Sequence, residues 1–299
     1  MKVFLTGATG FVGSQVLQDL LEKGHQVRCL VREGSQGKLR VWEGVEIAVG
    51  DVLGPESLRE KLRGCQAAIY LVGIIREFPR KGITFDRLHY QGARNVMEAA
   101  NEQEVSRFLH MSALGARAGA PSCYHQTKYM AEEYLKESGL AYTIFRPSVI
   151  FGPKDEFVNL LARMIQKAPL VPVVGDGKYK LQPVALENVS QSFVRALEMP
   201  ETVGKAYEVA GPEKLEYNQV LDIIGEALGR RVRKLHFPLS LMRPLVAGLE
   251  KFPSFPLTRE QLIMLQEENV GDERPFFQDF GIVPLTFREG IARYIKRRG

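Results

Sequence analysis

The chain is poor in cysteine, and no apolar run in it is long enough for a bilayer. Its three cysteines, Cys29, Cys65 and Cys123, are odd in number and widely spaced, and none forms a C-x-x-C. That argues against a disulfide framework and against a zinc site, and it fits a reducing cytoplasm. Cys123 and His125 stand two residues apart on a helical stretch and point different ways, so no metal is expected. The longest apolar run of the C-terminal half, FPLSLMRPLVAGL, carries an arginine and two prolines and is too short to span a membrane. The opening MKVFLTG passes directly into a strand and a glycine turn, leaving no room for a signal peptide. The expectation is a soluble, cytoplasmic protein with no integral membrane segment. A strong charge excess is missing too: the formal net charge is +5. The basic stretches GRRVRK (229–234) and IKRRG lack interleaved stacking aromatics and read as solvated surface, so nucleic acid is not an expected partner. There is no internal repeat and no low-complexity tract.

What the chain does have is length, 299 residues with a 45% hydrophobic fraction, enough for a main domain with a smaller lobe. The first half alternates apolar runs with helical patterns. KVFLT precedes the amphipathic FVGSQVLQDLLEKG, in which Val12, Val16, Leu17, Leu20 and Leu21 recur at helical spacing. HQVRCLVR, VEIAVG, AAIYLVG, RFLHMS and AYTIFRP read as further strands. Between them lie a helix near PESLREKLRG, one long helix over TFDRLHYQGARNVMEAANEQ and a helix carrying Tyr124. Strands and helices in this rhythm predict an α/β fold with a doubly wound parallel sheet, and strand interiors such as IYLV predict burial on both faces. After Pro147 the rhythm loosens through PSVIFGP, PLVPVVGDGKYKLQPV and FPSFPLT. The division expected is a dinucleotide-binding Rossmann domain over 1–150 and mainly a substrate lobe over 151–299. About 184–210, including KAYEVAGP, is expected to return to the sheet.

TGATGFVG places Gly7, Gly10 and Gly13 between the first strand and a helix, with Thr9, Phe11 and Val12 among them. Gly7 permits a tight turn, Gly10 lets backbone approach a pyrophosphate, and Gly13 allows close helix–sheet packing. The phosphates would sit on free N–H groups at the positive end of the helix dipole. The second strand ends CLVREG, where an NAD site usually offers a carboxylate to the ribose 2′-OH. Arg32 stands there instead and suits the 2′-phosphate of NADP; alternatively it is solvated and Glu33 takes the ribose. NADP(H) is therefore the preferred cofactor, with NAD(H) possible. Asp51 and Val52, after the third strand, lie where Asp51 can accept from an adenine amino group or serve the following helix start. Leu71, Val72 and Gly73 after AAIYLVG, Pro147 after AYTIFR, and Lys128 complete the expected cofactor-binding set.

SCYHQTKYM puts Tyr124 and Lys128 one helical turn apart, a spacing that alone does not distinguish an acid–base pair from two surface side chains. The segments TGATGFVG, GDVLGPESL, HMSALGA, YHQTK and FRPSVIFGP, in this order over about the first 155 residues, resemble the short-chain dehydrogenase/reductase superfamily in its extended, atypical branch. The subgroup they look most like contains the nucleotide-binding accessory subunit of respiratory complex I. The resemblance implies that Tyr124 exchanges the substrate proton, that Lys128 holds the nicotinamide ribose and lowers the phenol pKa, and that Ser112 orients the substrate. Family members often carry Asn where this chain has His89, which implies an altered proton relay; Asn95 lies farther along and is no obvious substitute. In the substrate lobe, Lys154, Lys178 and Lys180 face an anionic group or water, and His236 and Phe237 are packing residues or ligands.

Three functions follow as expectations. One is an NADP(H)-dependent oxidoreductase acting on a carbonyl, alcohol or quinone-like small molecule. The second is a non-catalytic nucleotide-binding protein with a structural, redox-sensing or assembly role, in company with a protein partner or a second copy of itself. The third is nucleotide-sugar epimerase or dehydratase chemistry, or RNA binding by a repurposed relative, disfavoured by the lack of a clear diphosphate clamp and by the modest charge.

Overall fold

A computed structural model describes residues 1–252, 255 and 257–295. Part of FPSFPLT and the tail IKRRG after Ile295 therefore lie outside the described residues. The apolar runs form β1 (Lys2–Thr6), β2 (Gln26–Val31), β3 (Val45–Val49), β4 (Ala67–Tyr70), β5 (Arg107–Met111) and β6 (Tyr142–Pro147). KAYEV forms β7 (Lys205–Val209), and the seven strands make one sheet in the order β7-β6-β5-β4-β1-β2-β3. Every neighbouring pair is parallel. Strand order reverses between β1 and β4, and in open α/β sheets the crevice at such a reversal, beyond the carboxyl ends, is where ligands bind. All four residues of β4 are fully buried, as its unbroken apolar run requires of a strand covered on both faces.

Helices α1 (Phe11–Glu22), α2 (Pro55–Leu62), α3 (Gly92–Glu102) and α4 (Cys123–Glu137) follow β1, β3, β4 and β5, and α5 (Phe157–Lys167) opens the second half. Helix α6 (Leu186–Ala196) lies beside α1, where the Ser190 hydroxyl donates to the Asp19 carboxylate at 2.6 Å. Its Phe193 packs with Val16 and Leu20 of α1 in the core on one sheet face, while α2, α3 and α4 bury the other face. Beyond β7 come α7 (Tyr217–Ala227), α8 (Leu239–Leu249), α9 (Arg259–Gln266) and α10 (Arg274–Phe280). Phe276 and Phe280 of α10 join the α1–α6 core, with Phe280 against Phe145 and Tyr207. A separate core holds α5 and α7, through Leu161, Ile165, Val220 and Ile224.

The segment expected as one long helix is not uniform. Asp86–Gln91 form a π-helical turn, and the α-helix starts only at Gly92. The buried Tyr70 hydroxyl donates to the Leu88 carbonyl at 2.6 Å, which holds that carbonyl away from the ordinary helical ladder. A Cβ on Gly92 would come within 2.8 Å of the same hydroxyl, so the helix approaches the sheet there only as glycine.

Candidate active site

The turn after β1 is shaped by what its glycines exclude. Gly7 has φ +79°, and a Cβ there would meet the Leu71 backbone at 3.0 Å. A Cβ on Gly13 would sit 2.1 Å from the Gly7 carbonyl oxygen, closer than any packing tolerates. Gly10 is the N-cap of α1 and supplies no side-chain cap, and the first turn has no acidic residue. The opening amides of α1, at Phe11, Val12 and Gly13, therefore keep the helix dipole's positive end for an anion, and half-buried Thr9 lies in the same turn. Thr6 ties this turn across the strand reversal, donating from Oγ1 to the Ile69 carbonyl and accepting from the Leu71 amide, each at 3.3 Å. Leu71, Val72 and Gly73 line the facing side; a Cβ on Gly73 would stand 3.2 Å from Lys128 Nζ. These features fit a dinucleotide whose pyrophosphate lies on the start of α1.

At the far end, Arg32 and Glu33 are both exposed, and the Arg32 side chain makes no hydrogen bond or ion pair among the described residues. Asp51 is exposed and its Oδ1 accepts from the Leu53 amide at 2.9 Å, which shapes its own loop. Val52 is buried, and its carbonyl accepts from Asn95 Nδ2 at 2.9 Å. Asn95 thus pins the loop after β3 to α3, a role no spacing in the sequence announces.

Ser112, Tyr124 and Lys128 are carried by β5 and α4. Beyond β5 the ladder with β6 runs on: the Ser112 amide donates to the Phe145 carbonyl at 2.7 Å and the Leu114 amide to Pro147 at 2.9 Å. Ser122 caps α4, its Oγ accepting from the His125 amide at 3.2 Å, and this sets Tyr124, Lys128 and Glu132 on one face at successive turns. Lys128 is 2% exposed; Nζ donates to the Met111 carbonyl at 3.0 Å. Burial pushes its pKa down to about 8, with Glu132 opposing, so the ammonium persists at neutral pH. Fully buried Glu132 is in turn paired with Arg146 of β6, Nε to Oε1 at 2.9 Å. Ser112 is 2% exposed, and its Oγ has no hydrogen-bond partner among the described residues. Leaving such a hydroxyl unmatched is costly, and a ligand oxygen is the natural partner.

The phenol departs from expectation. Burial pushes Tyr124 up to about 12, and nothing in its surroundings pulls it down. At pH 7 the phenol is a proton donor, not a phenolate.

His89 is fully buried on the π-turn, and its surroundings define its tautomer. Nε2 accepts from the Ile74 amide at 3.1 Å, so Nδ1 carries the proton and faces Thr127 Oγ1, also at 3.1 Å. Burial first, then Lys128, hold its pKa well below the ordinary histidine value. The ring lies 5.3 Å from Phe85, stacked, and 5.2 Å from Tyr124, edge-on. It is a neutral brace between the loop after β4 and α4. Deeper still, His110 is fully buried against Tyr70, with neither ring nitrogen partnered among the described residues, and burial pushes it down to about 3.

The lobe is latched over these elements. Glu260 accepts from the Cys123 amide at 2.9 Å, and Glu267 meets His125 at 3.1 Å and also Arg117. Arg76 donates to the carbonyls of Phe255 (2.7 Å), Glu250 (2.9 Å) and Phe252 (3.2 Å). Next to Glu267, Gln266 lines a cavity of 680 Å³ together with Val174, Tyr179, His236, Leu239 and Leu265. His236 also bonds Asn218 at 3.2 Å, and Phe237 is half-buried. Lys154, Lys178 and Lys180 are exposed. No cluster of three or more potential metal ligands occurs among the described residues.

Comparison with known proteins adds to this geometry. The profile of a family described as NAD(P)H-binding matches residues 7–163, and that of the 3-beta hydroxysteroid dehydrogenase/isomerase family matches 116–238. The chain is 31% identical over 307 residues to the mitochondrial NADH dehydrogenase (ubiquinone) 1 alpha subcomplex subunit 9 of Mus musculus, covering 97% of the chain and 78% of the relative. It is 31% identical over 172 residues to a ceramide reductase of Caulobacter vibrioides, covering 58% of the chain and 53% of that protein. Among solved structures, MoeE5 in complex with UDP-glucuronic acid and NAD superposes with a TM-score of 0.77 at 19% identity, covering 99% and 97% of the two chains.

Proposed function

The chain belongs to the NAD(P)H-binding family, in the extended short-chain dehydrogenase/reductase group, and on that footing we propose that it is an NADP(H)-dependent oxidoreductase. Its substrate is a mostly apolar small molecule with a carbonyl or quinone-like group, or the corresponding alcohol. When bound, the nicotinamide supplies the hydride. Ser112 Oγ hydrogen-bonds the substrate oxygen, Tyr124 delivers a proton to that oxygen as charge develops on it, and Lys128 holds the ribose. The observation that carries the reading is the Ser112 hydroxyl, buried and unpartnered among the described residues, one residue beyond the Met111 carbonyl that holds the buried Lys128 amine. The test is steady-state NADPH oxidation against ketones and aldehydes with Ser112→Ala. The variant should keep NADPH affinity within a few-fold and lose about tenfold or more in kcat/KM. An unchanged kcat/KM contradicts the assignment.

The preference for NADP(H) rests on Arg32, just after β2, whose exposed side chain has no partner among the described residues. A second reading has one specific support. The similarity to a protein named as a respiratory-complex subunit covers nearly the whole chain, which favours a nucleotide-binding protein that works with a protein partner and without turnover. Epimerase or dehydratase chemistry is supported at the level of fold alone, and the lobe's Lys154, Lys178 and Lys180 face solvent and form no diphosphate clamp. A cytoplasmic location rests on the three free cysteines; the subunit relative is mitochondrial by name.

A further inference from the structure

Helix α8 is apolar on two faces. Val246 is fully buried, with half-buried Met242 and Leu249 on the same inward stripe. On the outward side Leu241 is 57% exposed and Leu245, one turn on, is 46% exposed. Phe252, three residues past the end of the helix, is 58% exposed. A helix at a water-facing surface ordinarily carries polar side chains on its outer face. No helix among the described residues is long and apolar enough to cross a membrane, so α8 can only lie on a surface.

The charges along this stretch of the chain are mostly of one sign. Residues 229–252 contain six Arg or Lys against one acidic residue, Glu250, whose carboxylate is held by Arg259 at 2.5 Å. Arg231, Arg233, Arg243 and Lys251 are exposed. The Arg76 bonds to the Glu250, Phe252 and Phe255 carbonyls brace the end of the helix, so this face is presented by a fixed element.

We propose that the outer face of α8 docks the protein on an anionic lipid bilayer. Large apolar side chains that protrude singly from a helix, in a segment rich in exposed cations, match the boundary between acyl chains and acidic headgroups. Leu241, Leu245 and Phe252 enter the acyl boundary while Arg231, Arg233, Arg243 and Lys251 meet the headgroups. Pro238 and Leu239, at the start of the same helix, line the 680 Å³ cavity, so docking also brings that cavity to the bilayer. The docking does not depend on turnover.

The experiment is co-sedimentation of the full chain with vesicles of phosphatidylcholine alone or mixed with phosphatidylglycerol, alongside Leu241→Glu/Leu245→Glu. Nucleotide titration and sedimentation equilibrium are run on both proteins. The expected result is binding to the anionic vesicles only, weakened by salt and reduced about tenfold or more in the double variant, whose NADPH affinity is unchanged. Three results overturn the proposal: no binding to anionic vesicles, equal binding by the variant, or a lipid-free dimer that the variant dissolves. A companion variant, Arg231→Gln/Arg233→Gln, leaves the apolar face intact; if it binds anionic vesicles as the parent does, the electrostatic part of the proposal is wrong.

Discussion

A single buried ring, His89, shows how far a residue's role lies from its letter. The resemblance marks the position as one where relatives often have Asn and implies a changed relay of protons. The contacts instead make it a brace, with partners 15 and 38 residues away in sequence, at Ile74 and Thr127. Such pairings have no period or spacing, so the sequence cannot display them. His89→Leu should cost about 1 kcal/mol in urea melts by leaving the half-buried Ile74 amide without its partner. His89→Asn should recover part of that loss. The expectation for Tyr124 and Lys128 came from the resemblance, since spacing alone did not decide it, and the direction of the phenol's shift was not legible because it follows from burial. Acid dependence belongs to the same scale. His89 and His110 are both held below the ordinary value of 6.5, so the folded state binds fewer protons than the unfolded chain. Their contribution is complete above about pH 6.5 and is lost as pH falls from there toward their folded values, by up to about 1.4 kcal/mol per pH unit for each. Denaturation midpoints measured from pH 7 to 4 should fall accordingly, and His110→Phe should flatten the decline. An equal slope in that variant would exclude His110 as a cause.

Among the elements, the turn from β1 into α1 was the most legible, because three glycines between a strand and an amphipathic helix have few other uses. Gly13→Ala should abolish nucleotide binding and lower the melting temperature, since its Cβ would lie 2.1 Å from the Gly7 carbonyl. Arg32→Glu should reverse the cofactor preference. Loss of a charge-assisted contact to a phosphate costs about 1.5–3 kcal/mol, read by calorimetric titration with NADPH and NADH. Equal affinities in the parent protein would remove the basis of the NADP assignment. The π-turn was hidden for the opposite reason: DRLHYQ has ordinary helical periodicity, and the bond its Leu88 carbonyl accepts from the Tyr70 hydroxyl joins residues 18 apart.

At the scale of the whole molecule, the alternating rhythm announced a parallel sheet, and KAYEV proved to be its seventh strand, beside β6. The return of α10 to the same core was not visible, since RPFFQDF is too short for a period and its partners Phe145 and Tyr207 lie far upstream. The latches of Glu260 and Glu267 on α4, and of the Glu250, Phe252 and Phe255 carbonyls on Arg76, were equally silent, being made of single carboxylates and carbonyls. The central proposal is that Ser112, Tyr124 and Lys128 act together to reduce a carbonyl. The measurement that tests it most directly is NADPH oxidation at pH 7 against a panel of ketones and aldehydes, parent beside Tyr124→Phe. General acid assistance contributes about 10²–10⁴-fold, so the variant should bind NADPH as the parent does and turn over slower by that factor. Tight NADPH binding by the parent, with no carbonyl rate above that of Tyr124→Phe anywhere in the panel, would contradict the claim.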